Sequence, residues 1–152
     1  MNLILWRHAE AEDVASTDLA RQLTGRGRKQ AQAAAKWLRA RLPDDALILA
    51  SPAARTVQTV EALTDQYRIE KTVAPGASAN ELLNTVGWPD GIAETVVVVG
   101  HQPTLGLVAS LLVGGQAAHW TIKKGGVWWI EGQTCKSDTR VLIRAVICPD
   151  LA

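Results

Sequence analysis

Positions 95–99 read Thr-Val-Val-Val-Val, a β-branched run with no alternation between apolar and polar residues. A strand with one wet face alternates, so an unalternated run of this kind suits a central parallel strand covered on both faces. Such a strand needs helices above and below its sheet, and the rest of the chain supplies them. Residues 3–6 form a second short apolar run ending in Arg7 and His8, and residues 46–50 a third. Thr24 is placed to cap a helix whose apolar positions Ala31, Ala34, Leu38 and Leu42 recur at helical spacing until Pro43 stops it. Ser51-Pro52 reads as an N-cap followed by a first helical residue, which predicts a helix from 52 to about 67 with Arg55 in its first turn. A short strand at 69–73, a short helix at 79–86 and a helix from Pro103 to about Val113 follow. Residues 120–130 and 140–147 read as antiparallel strands around a polar turn. The expected fold is a three-layer α/β/α sandwich with a mostly parallel central sheet and an antiparallel edge.

Between positions 95 and 122 no side chain is charged, which raises the question of a membrane span. Gly100, His101, Gln102 and Pro103 interrupt the run, and Gly114-Gly115 interrupt it again, leaving pieces the size of a buried strand and a buried helix. A chain of 152 residues is enough for one domain, here 1–152 without a large cap insertion. Sixteen basic and fifteen acidic residues leave a net charge of +1, so no global field favours nucleic acid or a membrane surface. Cys135 and Cys148 lack the spacing of a zinc site or a disulfide framework, and the expectation is buried free thiols in a reducing cytoplasm. The apolar run at 3–6 is too short for a signal-peptide core and has no basic leader, which agrees with that compartment.

His8, Arg55 and His101 fall just after three predicted strands, and in open α/β sheets ligands bind outside the carboxyl ends of the strands. Arg7 joins them, because a guanidinium buried at a strand end is costly without an anion to meet it. Two arginines, two histidines and two helix N-termini together make a pocket for a doubly charged phosphoryl group. Two histidines alone do not make a zinc site, and neither HxH, HExxH nor a cysteine cluster accompanies them. Ser51 and Ser110 are not in a G-x-S-x-G context, and Thr24-Gly25-Arg26-Gly27 is not a Walker loop.

The segments Leu5-Trp6-Arg7-His8-Ala9-Glu10, Leu23-Thr24-Gly25-Arg26-Gly27, Ser51-Pro52-Ala53-Ala54-Arg55-Thr56 and Val99-Gly100-His101-Gln102-Pro103 occur in this order over about two thirds of the chain. In that pattern the sequence resembles the histidine phosphatase (phosphoglycerate-mutase-like) superfamily. Its length and the segment 18–27 look most like the compact SixA-type phosphohistidine phosphatases of phosphorelays. The resemblance implies that His8 is transiently phosphorylated, that Arg7 and Arg55 hold the phosphoryl oxygens, and that His101, protonated or donating, adds a further contact. Arg21 becomes a rim contact for substrate. It also implies a metal-independent, cofactor-free hydrolase acting on a phosphohistidine-containing protein in signal transduction.

Larger relatives use a carboxylic acid to protonate the leaving group; Glu81, with Glu10 behind it, is the candidate, against a plain reading as a solvated residue in a helix first turn. A phosphohistidine substrate relaxes that need, because imidazole leaves more easily than an alkoxide. Only 45 residues separate Arg55 from His101, too few for a helical cap, so an open pocket is expected. The alternatives are a small-molecule phosphomonoesterase of the same superfamily and a non-catalytic phosphohistidine-binding module. The six tryptophans, Trp128-Trp129 included, read as packing with one of that pair open to solvent, and Lys123-Lys124 as a solvated turn in preference to a pair that attracts an acidic partner.

Overall fold

In the computed structural model, which describes Met1–Ala152, β1 (Asn2–Arg7) and β4 (Thr95–Gly100) lie side by side in parallel, Leu3 opposite Val96 and Arg7 opposite Gly100. β2 (Leu47–Ala50) pairs in parallel with the other edge of β4, and β3 (Arg68–Ile69) with β2. The chain ends in an antiparallel hairpin, β5 (Val127–Cys135) and β6 (Asp138–Ile147), and β5 closes onto the free side of β1. The six-stranded order is β3-β2-β4-β1-β5-β6. This is the mixed α/β sheet expected, with an antiparallel edge two strands wide.

Both faces of β4 are covered, which accounts for its missing alternation. Val96 and Val98 join Leu3, Leu5 and Leu49 in a core closed by α3 (Ala79–Val86) and α4 (Thr104–Gly114). Val97 and Val99 join Ile4, Trp6 and Ala50 in a second core beneath α1 (Gly25–Arg39) and α2 (Ala54–Glu61). Trp128 and Trp129 divide between these layers, Trp128 tilted against Trp120 and Trp129 edge-on to Trp37; Trp129 is buried and Trp128 half-buried, where one of the pair was expected to be exposed. No helix is long and apolar enough to cross a membrane.

Several boundaries differ from expectation, each for a nameable reason. α2 begins at Ala54, two residues after Pro52, because Ser51 does not cap it: Ala53 takes the N-cap position. It ends at Glu61 instead of about 67, where the Arg39 guanidinium from α1 accepts the role of C-terminal partner and donates to the carbonyls of Ala62 and Leu63. β3 is only two residues long and passes into a 3₁₀ turn, Lys71–Val73. β5 starts at Val127 rather than 120, because upstream carbonyls are taken by side chains: Ala118 by Ser110, Trp120 by Gln102 and Ile122 by Arg7. Cys135 is exposed and Cys148 half-buried, both free, so the thiols are not buried as expected; they sit on and just beyond the wet hairpin.

Candidate active site

The register of the parallel strands puts His8, Ser51 and His101 at one level, immediately beyond the carboxyl ends of β1, β2 and β4. The His8 amide donates to the Gly100 carbonyl (3.1 Å) and the Ser51 amide to that of Val99 (3.1 Å). The loop after β1 is tied down by the Ala9 amide, which donates to Thr59 Oγ1 (3.0 Å), and α1 packs tightly on the Glu10 backbone through Gly27. A Cβ at position 27 would fall on the Glu10 carbonyl oxygen, so Gly27 serves the close packing of α1 on this loop.

His8 is 8% exposed, and its ring nitrogen Nδ1 lies 2.7 Å from the carbonyl oxygen of Ala9. A carbonyl only accepts, so the proton sits on Nδ1 and Nε2 carries the free lone pair. Burial pushes the His8 imidazole down to about 4, with the charges of Arg55 and Arg7 adding to the effect over the opposing pull of the Ala9 carbonyl. His8 is therefore a neutral imidazole at physiological pH. His101 stands beside it, ring centroids 5.3 Å apart and tilted by 52°, and is itself 3% exposed.

His101 Nε2 is 2.7 Å from Ser51 Oγ. That hydroxyl also accepts from the Ala53 amide (3.2 Å) and is fully buried, so the only acceptor left for its own proton is Nε2. The bond thus runs from Ser51 to His101 and leaves the ring proton on Nδ1. Burial, followed by the proximity of His8, pushes His101 down to about 3, which favours the neutral, donating form of the two expected.

Arg7 is anchored by a bond from Nη1 to the Ile122 carbonyl (2.7 Å). Arg55 donates from Nη1 to the Asp18 carbonyl (2.8 Å) and from Nη2 to the Asp18 carboxylate (3.1 Å), and that hydrogen bond holds Asp18 below the usual carboxylate range. In the entire chain three buried side-chain polar atoms have no partner: Arg7 Nε, Arg55 Nε and His101 Nδ1. All three are donors, and their residues line one pocket of about 210 Å³ together with His8, Arg21 and Lys124. Buried donors without acceptors are costly, and an anion seated there would relieve them. No group of three or more His, Cys, Asp or Glu side chains is gathered anywhere in the structure.

Arg21 reaches this pocket, with its guanidinium held by Asp18 (3.2 Å) and the Glu12 carbonyl (3.2 Å). Glu81 does not. Its carboxylate accepts from the Ser78 amide (3.2 Å) in a capping box that opens α3, which is the plain structural role, and it is absent from the pocket walls. Glu10 is turned toward the Thr24 hydroxyl (2.9 Å) and also stays outside. The carboxylate that does line the pocket is Asp13, in the loop after β1. Sequence reasoning passed over Asp13 and took Ser51 for a helix cap; their position after the carboxyl ends of β1 and β2 was the available signal.

Residues 3–78 match the family model of the histidine phosphatase superfamily (branch 1). A Haemophilus influenzae protein named phosphohistidine phosphatase SixA homolog is 30% identical over 128 residues, which cover 75% of this chain and 78% of that protein. Among solved structures, one from Nakamurella multipartitia, assigned as a phosphohistidine phosphatase SixA, superposes with a TM-score of 0.78 at 30% identity, covering 97% of this chain and 95% of the other. The protein histidine phosphatase SixA complexed with tungstate shares the fold, with a TM-score of 0.78 at 21% identity over 99% and 98% of the two chains. By sequence match and by fold, the chain belongs to the histidine phosphatase superfamily, as a compact SixA-type member.

Proposed function

We propose that the protein is a phosphohistidine phosphatase of signal transduction, acting in the cytoplasm as a single domain through a phosphorylated His8, without metal or cofactor. The observation that carries this reading is the set of three unpartnered buried donors, Arg7 Nε, Arg55 Nε and His101 Nδ1, around a neutral imidazole whose free nitrogen is Nε2. In the first step Nε2 of His8 attacks phosphorus and the bond from phosphorus to the substrate imidazole breaks, its electrons leaving with that nitrogen. Water then attacks the phosphorus of phospho-His8, the bond to Nε2 breaks with its electrons returning to that nitrogen, and both water protons depart on the inorganic phosphate. Splitting one displacement into two lowers each barrier. Arg7, Arg55 and His101 hold the equatorial oxygens, the main contribution a protein makes to phosphoryl transfer. An imidazole leaving group needs little help from an acid, which agrees with Glu81 lying outside the pocket.

Two sources of support point to a protein substrate: the relatives named above, and a pocket that no helical cap covers, since α2, β3 and α3 account for the chain between Arg55 and β4. The test is phosphate release from a phosphorylated histidine-containing phosphotransfer protein in EDTA, comparing wild type with His8→Ala. Turnover by the wild type alone is expected. Turnover surviving in His8→Ala would remove His8 as the nucleophile, and turnover of small phosphomonoesters only would make the protein a small-molecule phosphatase.

A further inference from the structure

Next to the catalytic pocket lies a larger open cleft of about 590 Å³, bounded by the N-terminal half of α1 and the segment before β5. Its walls carry Arg7, Arg26, Lys29, Lys123 and Lys124 against one carboxylate, Asp150. Arg7 and Lys124 also line the pocket of His8, so the two concavities meet at these residues. Lys29, Lys123 and Lys124 take part in none of the ion pairs in the molecule, and Arg26 reaches only Glu10, at 3.9 Å. In a chain of net charge +1, five of sixteen basic residues converge on this one cleft. Like charges gathered in a concavity focus a positive potential there, and an anionic partner is what that arrangement favours.

The chemistry of the walls distinguishes two kinds of anion. A second phosphate of a small substrate would be gripped as in the catalytic pocket, by buried donors and guanidinium forks. Here, apart from the shared Arg7, the cations are exposed, and three of them are lysines, compact charges on flexible stems. Such groups suit a diffuse set of carboxylates on a macromolecular surface, where they act through steering and register.

We propose that this cleft is a docking surface for an acidic face of the phosphohistidine-bearing protein, with carboxylates flanking the phosphohistidine seated between Lys29 and Lys123 while the phosphoryl group enters the His8 pocket. This rests on the phosphohistidine reading of the site. Lys123, a solvated turn residue by sequence, becomes a determinant of which phosphoproteins the enzyme accepts.

The experiment uses two phosphohistidine peptides, identical except for glutamates in one and glutamines in the other on both flanks, together with free phosphohistidine. At low ionic strength wild type should favour the glutamate peptide in kcat/KM by on the order of tenfold, and added salt should shrink the preference. Lys29→Glu/Lys123→Glu should abolish or invert that preference while leaving kcat/KM for free phosphohistidine unchanged. Equal rates on both peptides in the wild type, or a preference retained in the double variant, overturns the docking surface while the phosphohistidine activity stands. An equal loss on free phosphohistidine overturns it too, by making the cleft part of the catalytic pocket. If wild type hydrolyses none of the three but does hydrolyse p-nitrophenyl phosphate, the phosphohistidine reading fails and takes the docking surface with it.

Discussion

The hydroxyl of Ser51 donates to Nε2 of His101 over 2.7 Å, joining residues fifty positions apart and leaving the histidine proton on the nitrogen that has no partner in the protein. Ser51 therefore positions His101 without itself lining the pocket. Ser51→Ala should lower kcat by roughly ten- to a hundredfold, a part or the whole of what one oxyanion donor contributes, with little change in KM. The distinguishing measurement is a double-mutant cycle: Ser51→Ala/His101→Ala should be no slower than His101→Ala alone. Additive losses would show that the serine acts independently of the histidine.

The two neutral imidazoles make stability depend on pH with a definite sign. An unfolded histidine titrates near 6.5, whereas folded His8 titrates at about 4 and His101 at about 3. Between these values the unfolded chain binds more protons than the folded one, so stability rises with pH through that window and is lost as pH falls from 6.5 toward 4. For His8 alone the loss is on the order of 3 kcal/mol at pH 4. Urea titrations from pH 7 to 4 should show it, and His8→Gln should flatten the slope. An imidazole NMR titration that placed both histidines near 6.5 would contradict the buried neutral pair.

Arg55 is held by Asp18 through both the backbone carbonyl and the carboxylate of that residue. We read Asp18 as a clamp that sets the guanidinium angle, with Arg55 Nε left for substrate. Asp18→Ala should lower kcat/KM by about tenfold, because small misplacements of a phosphoryl-binding group are expensive in rate. Asp18→Asn, which keeps an acceptor, should fall between. Tighter inhibition by inorganic phosphate in Asp18→Ala than in wild type would mean that the carboxylate competes with substrate instead.

Two glycines separated by a single residue should behave oppositely. Gly27→Ala forces a Cβ onto the Glu10 carbonyl oxygen and should cost about 1–3 kcal/mol, visible as a lower Tm. At Gly25 a Cβ meets nothing within 4 Å, and Gly25→Ala in the first turn of α1 should be neutral or stabilising by up to about 1 kcal/mol. Equal effects at both positions would remove close packing on the post-β1 loop as the reason for Gly27.

Features encoded by neighbouring residues were legible in the sequence. Thr24 caps α1 as its spacing to the helix implies, and α3 spans 79–86, opened by the Ser78–Glu81 capping box. The unalternated run of β4 announced burial on two faces, and placement of His8, Arg55 and His101 after strand ends announced their convergence. What escaped was decided by partners distant in sequence. Ser51 looks like a cap until His101 is seen to claim its hydroxyl. The end of α2 is set by Arg39, and the start of β5 by side chains of Arg7 and Gln102 that occupy carbonyls a strand would otherwise use. The position of Glu81 relative to the pocket likewise depended on where α3 packs, which helical spacing alone does not fix.

The bond from His8 Nδ1 to the carbonyl of Ala9 spans a single peptide unit. The His8 ring is thus oriented by its own immediate neighbour, and a remote substitution that preserves the turn after β1 should leave its proton on Nδ1. His101, by contrast, owes its tautomer to a residue just past the end of another strand. The orientation of the His8 ring is written into two consecutive residues, whereas the set of buried donors around it exists only once three strands have assembled. On the proposed mechanism, mutational drift should erode turnover by loosening the oxygen contacts long before it disarms His8.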